Sequence, residues 1–147
     1  GQIGPKTHAR IFELLLRLQA NTFWPAMHEC SIPFFFTEGN KEMADKYAIY
    51  LGTSHCEPMM RNTNGEWKTA GKGEYDYVHN RKNVLSFWEE RVKQLRHSDD
   101  IYTLGMRGVH DGKMQGAKTL EEQKKALTEI LADQRRMLAK YKGKDLT

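Results

Sequence analysis

Long apolar runs are missing from this chain. A membrane span needs about 18–20 consecutive apolar residues, and the richest stretch here, Ile32 to Phe36, is already broken by Pro33. No transmembrane helix is expected, and no membrane partner. Cysteine is scarce: Cys30 and Cys56 are the only two, too few for a disulfide framework, so free thiols are expected although the two could pair. Charge of one sign is not blocked either. Lys and Arg outnumber Asp and Glu by only 23 to 19, and the densest basic stretch, Lys124-Lys125 to Arg135-Arg136, is interleaved with Glu121, Glu122, Glu129 and Asp133. That is the pattern of a solvated helix face, so nucleic acid is not expected as a partner. No Gly-x-Gly-x-x-Gly follows a predicted strand, which argues against a dinucleotide site.

What is present is the composition of a folded domain. Apolar residues make up 39% of the 147 residues and charged residues 29%, a balance that separates it from disordered chains. A chain of this length buries roughly 70% of its unfolded surface and can hold a core. The first residues, Gly1-Gln2-Ile3, carry no methionine; they read as the product of processing or as the interior of a longer protein.

Periodicity sets out the elements. From about Thr7 to Gln19, Ile11, Phe12, Leu15, Leu16 and Leu18 recur at helical spacing. A first strand is expected over Ala20 to Pro25, then a helix over Asn40 to Tyr47 and a second strand, near-continuously apolar and therefore of the doubly buried parallel kind, over Ala48 to Thr53. Asn80 is placed to cap a helix with Val84, Leu85, Trp88, Val92 and Leu95 inward and Glu89, Glu90, Arg91 and Lys93 outward. A third strand is expected over Ile101 to Met106. Thr119 and Glu122 then form a capping box for a long last helix with Leu127, Ile130, Leu131, Leu138 and Tyr141 buried, ended at Gly143. Helices alternating with strands imply an α/β chain with a parallel sheet. Three strands cannot close a (β/α)8 barrel, which takes about 250 residues, so the chain is either a small open domain or a barrel segment.

In parallel α/β folds chemistry collects where the strands' carboxyl ends converge. Trp24, His28 and Glu29 follow the first strand, Ser54, His55 and Glu57 the second, and Arg107, His110 and Asp111 the third. Arg107 suits bidentate pairing with a substrate carboxylate. Asp111 suits acid, base or sugar-hydroxyl work, and Glu57 is a second candidate carboxyl group. Trp24 is either core or a sugar platform; Phe34, Phe35 and Phe36 read as packing. A metal reading drawn from His28, His55, His110, Glu57 and Asp111 ranks lower, because no spacing matches a metal signature; no metal and no cofactor are assigned. A non-catalytic sugar-binding segment using Trp24 and Trp67 is the reading from another class.

Three blocks then carry a resemblance: Leu16 to Met27, Gly52 to Met59 and Tyr102 to Asp111, with Asp133 to Leu138 as a fourth. In this order they resemble glycoside hydrolase family 115 across nearly the whole chain. The resemblance implies an incomplete piece of a (β/α)8 catalytic barrel, spanning residues 1–147, in an enzyme that releases glucuronic acid or its 4-O-methyl ether from α-1,2 linkages on xylan with inversion. By the same resemblance Arg107, Asp111 and His55 match substrate-site positions. Asp111 and Glu57 are then the expected catalytic carboxylates, and Arg107, His55, His110 and Trp24 the substrate-binding residues. Implied partners are glucuronoxylan or xylo-oligosaccharides bearing glucuronic acid, the remaining domains of a longer enzyme, and, as an oligomer, further copies of the chain. A periplasmic or secreted location follows from the size of xylan, and the chain by itself is expected to be inactive.

Overall fold

The computed structural model describes residues 3–143. It is an α/β chain with five helices and a two-stranded parallel sheet among the described residues. In order these are α1 (Pro5–Arg17), β1 (Thr22–Phe23), α2 (Asn40–Lys46), β2 (Tyr50–Leu51), α3 (Lys68–Ala70), α4 (Arg81–Gln94) and α5 (Leu120–Lys142), with short irregular turns between them. No helix among the described residues is long and apolar enough to cross a membrane.

The helices follow from local chemistry. Pro5 opens α1 at a position where its missing N–H costs nothing. At the start of α5, the Thr119 hydroxyl accepts from the Glu122 N–H at 3.2 Å and the Glu122 carboxylate accepts from the Thr119 N–H at 2.9 Å, the reciprocal cap expected from sequence. Asn80 precedes α4 but does not cap it: its side-chain amide donates to the carbonyls of Lys72 and Glu74, closing the preceding loop instead.

β1 and β2 pair in register Thr22 with Tyr50 and Phe23 with Leu51. Both strands are far shorter than the runs predicted for them, and Tyr50 is exposed, so β2 is not buried on both faces. The predicted third strand does not form, although its chain lies where a strand would. The Ile101 N–H reaches the Leu51 carbonyl at 2.8 Å, but the Thr53 carbonyl is taken by the Thr103 hydroxyl at 2.7 Å, and the Thr103 carbonyl accepts from the Met59 N–H. A side-chain bond has replaced a ladder bond, and the segment stays extended without pairing as a strand.

Two apolar clusters flank this pair. One gathers Phe12, Phe34, Ala44, Ile49, Leu51, Met60 and Leu95; the other gathers Trp67, Tyr75, Tyr77, Phe87, Trp88, Ile130 and Leu138 around α4 and α5. Tyr102, from the unpaired segment, packs against both. Several predicted faces are corrected. Leu16 and Leu18 of the first helix and Leu127 of the last are exposed. Arg91, assigned to the wet side of α4, is buried: its guanidinium stacks 3.6 Å from the Phe35 ring centre and donates to Glu66 at 2.7 Å. Glu66 also accepts from Arg61 at 2.7 Å. A buried Arg61–Glu66–Arg91 group thus lies between the clusters, held by opposite charge and aromatic faces in a low-dielectric interior.

Candidate active site

The loops after β1, after β2 and after the unpaired segment meet on one side of the sheet, as a parallel arrangement requires. Two asparagines stitch them together. The Asn62 and Asn64 side chains both donate to the Met27 main-chain carbonyl, each at 3.1 Å, and Asn64 Oδ1 accepts from the His110 N–H at 3.2 Å. Asn64 therefore fixes the first loop to the third. Behind them, Gln134 of α5, fully buried, brackets the main chain of Gly105, accepting from its N–H at 2.7 Å and donating to its carbonyl at 2.8 Å. That grip sets the direction from which the chain leaves for Arg107.

The third loop is tightly folded. His110 and Asp111 have left-handed backbones, φ 55° and 63°, a conformation that is strained for residues with a Cβ and that concentrates at functional sites. Gly108 permits this turn: a Cβ there would stand 2.4 Å from the Lys113 carbonyl oxygen. The outcome is an exposed charge cluster. Arg107 Nε lies 2.6 Å from Asp111 Oδ1, and His55 Nε2 lies 3.3 Å from the same oxygen. His55 and Arg107 hold the Asp111 carboxyl below its usual range. Immediately before Asp111 in the chain, His110 places its Nε2 3.3 Å from the Glu29 carboxylate.

Glu57 is different in kind. It is buried, and its pKa is pushed up to about 7 by burial, against hydrogen bonds from Ser54 and Asn62 that favour the charged form. Ser54 Oγ stands 3.4 Å from its carboxylate, and the side chain faces a small cavity shared with Ala26, Thr53 and Glu66. A carboxyl group that keeps its proton to neutral pH can give it up, whereas one held ionised beside an arginine can accept or orient.

Of the residues expected from sequence, His55 and Arg107 both touch Asp111, and His110 and Glu29 form a second pair at the same mouth. Trp24 is largely exposed, with its indole lying across Gly52, where a Cβ would stand 2.3 Å from Nε1. His28 is exposed and in none of the ion pairs described. Trp67 is not a sugar-binding face: it is buried, edge-on to Tyr75 and Phe87, and its indole N–H donates to the Gly73 carbonyl. Sequence reading missed Asn62, Asn64, Gln134 and Cys56. Gln134 sits inside one of the matched blocks, yet neither it nor Asn64 had a pattern that marked its contacts. Both cysteines are free thiols, Cys56 buried and Cys30 exposed.

A mouth lined by carboxyl groups, imidazoles, a guanidinium and an exposed indole is suited to glycan chemistry, and comparison with known proteins gives that class: glycoside hydrolases. The sequence profile of glycosyl hydrolase family 115 matches residues 1–147, and the chain belongs to that family. One solved structure, described as a novel family GH115 4-O-methyl-α-glucuronidase with specificity for decorated arabinogalactans, shares 64% sequence identity with this chain over 99% of its length, with a TM-score of 0.95. The chain spans 19% of that relative's length. No curated protein matches.

Proposed function

We propose that this chain supplies part of the active-site mouth of an inverting α-glucuronidase, and that its parallel units belong to a (β/α)8 catalytic barrel. The substrate is a glycan bearing α-linked glucuronic acid or its 4-O-methyl ether. The α-1,2-linked side chain of glucuronoxylan is the first substrate to test, and a decorated arabinogalactan, on the strength of the 64% identical relative, is the second. Both carry the same charged sugar, which is the part these residues are equipped to hold.

The observation that carries the reading is the Arg107–Asp111–His55 cluster, where the loop after β2 meets the loop after the unpaired segment. In this reading Asp111 keeps Arg107 extended through Nε, leaving the terminal nitrogens of the guanidinium to take the uronate carboxylate. Glu57, protonated near neutral pH, is the donor to the leaving oxygen, and Asp111 is the ionised carboxylate that orients substrate or activates water. His55 and His110 bind sugar hydroxyls, and Trp24 offers an apolar face to the ring. Inversion needs two carboxyl groups about 6.5–9.5 Å apart; the pair is Glu57 with Asp111, or one of them with a carboxylate from another part of the parent enzyme.

Because the relative is about five times longer, the reading includes that the chain by itself does not turn over. The test is release of free uronic acid from glucuronoxylan and from arabinogalactan by the parent enzyme and by the 147-residue chain in parallel. Release by the parent alone supports the activity and the need for the rest of the enzyme. Release by the isolated chain removes the need for other parts of the enzyme, and no release by either removes the activity.

A further inference from the structure

Two loops bring three different metal-ligating atoms together beside the Arg107 guanidinium. The ligand atoms of His55, Cys56 and Asp111 all lie within 4.8 Å of one another. A zinc ion holds sulfur at about 2.3 Å and nitrogen or oxygen at about 2.0–2.2 Å, which puts neighbouring tetrahedral ligands about 3.5 Å apart. Closing the cluster onto an ion therefore takes a movement of about 1 Å, and the two outer ligands are free to make it: His55 and Asp111 are 59% and 46% exposed at the side chain. Cys56, buried at the base, is the fixed point. We propose that His55, Cys56 and Asp111 form a binding site for a thiophilic divalent cation of the zinc type, and that its occupation shuts the active-site mouth.

The donor set selects the ion. One thiolate, one imidazole and one carboxylate form a soft-to-borderline set that favours zinc and its analogue cobalt over magnesium or calcium, which call for oxygen ligands throughout. Three protein ligands leave a fourth position to water. The thiol proton passes to solvent as the cation binds, so charge in the site rises by less than the full two units.

Inhibition follows from one shared oxygen. Asp111 Oδ1 is where Arg107 Nε and His55 Nε2 both converge. A dication held by Asp111 and His55 competes with Arg107 for the Asp111 carboxylate and repels the nearby guanidinium, so the bound ion loosens the Arg107–Asp111 contact. The ion need not be a cofactor of hydrolysis, and its binding is read without any substrate, so this inference and the glucuronidase reading fail separately.

The experiment uses the parent enzyme titrated with cobalt(II), and then with zinc(II) in competition, in wild-type and Cys56→Ser forms. Wild-type protein is expected to show thiolate-to-cobalt charge-transfer absorption in the near ultraviolet, displaced by zinc and removed by a chelator. Cys56→Ser is expected to lose that band and to bind zinc at least ~10–100-fold more weakly, the range that loss of even an outer-shell partner costs. Cys56→Ala serves if serine in the buried position unfolds the protein, judged by circular dichroism. Where uronic acid release is measurable, zinc is expected to suppress it reversibly in wild type and much less in the Cys56 variant. A wild-type cobalt spectrum without a thiolate band, or a band and zinc affinity unchanged in both Cys56 variants, overturns the proposal.

Discussion

Asp111 Oδ1 accepts from Arg107 Nε at 2.6 Å while His55 Nε2 stands 3.3 Å from the same oxygen. Arg107 and Asp111 are four residues apart across a turn that places His110 and Asp111 in left-handed backbone, and His55 arrives from the loop after β2. One carboxylate oxygen thereby joins two strand-end loops. The joint is exposed to solvent, so its value lies in orientation and not in stability, because exposed ion pairs contribute little.

Arg107 carries the first prediction. Arg107→Ala is expected to lower kcat/KM for uronic acid release by about 10–100-fold, the worth of one or two hydrogen bonds to a charged group. Arg107→Lys keeps the charge but not the planar fork, and is expected to recover only a small part of the loss. Full recovery by lysine would show that charge alone is recognised.

Glu57 makes a pH prediction. Its folded-state pKa of about 7 lies above the ordinary 4.5, so the native state holds a proton that the unfolded chain has released. Stability from this group is therefore fully present below about 4.5 and is lost as pH rises through about 7. The loss is at most about 3 kcal/mol, from 1.36 kcal/mol per pKa unit. Glu57→Gln is expected to flatten the stability profile across that window, measured by denaturant midpoints at successive pH values. With Glu57 as the proton donor, wild-type turnover is also expected to fall above about pH 7. A profile unchanged by Glu57→Gln would remove the residue from both roles.

Gln134 reaches the site only through the main chain of Gly105. Gln134→Leu leaves the half-buried N–H and carbonyl of Gly105 unpaired and is expected to cost about 1–3 kcal/mol in all. If it positions Arg107, the variant is expected to lower kcat/KM for the uronate-bearing substrate more than Arg107→Ala is lowered further by adding it, so the two losses do not sum. Additive losses would make Gln134 purely structural.

The buried Arg61–Glu66–Arg91 group is expected to be sensitive to single deletions. Glu66→Gln removes the carboxylate that pairs with Arg91, whose Nε and Nη1 already lack hydrogen-bond partners, while Arg61 keeps Glu90 and the Phe87 carbonyl. A loss of about 3–5 kcal/mol in unfolding free energy is expected, read from denaturant unfolding; a loss under about 1 kcal/mol would mean that water reaches the group.

Periodicity made the long helices legible because α4 and α5 bury stripes of apolar side chains, and the Thr119–Glu122 cap could be read letter by letter. That His55, Arg107 and Asp111 would lie near one another was legible in the order of the strand-end loops. What stayed hidden depended on partners distant in sequence. Arg91 looks like any surface arginine until Glu66 and Phe35 are placed around it. Ile101 to Met106 has the composition of a strand, but the Thr103 hydroxyl occupies the acceptor that a ladder would use. Trp67 has the character of a sugar platform until Tyr75 and Phe87 close over it. Cys56 drew notice only as one of two thiols, because nothing in its neighbours predicts that Asp111 will lie beside it.

The most direct test of the central claim is uronic acid release from glucuronoxylan and decorated arabinogalactan by the parent enzyme carrying Asp111→Asn. The account predicts that folding is retained, because Asp111 is exposed, and that kcat falls by about 10²–10⁴-fold, the contribution of a positioned acid or base. A variant that releases uronic acid at the wild-type rate would contradict it.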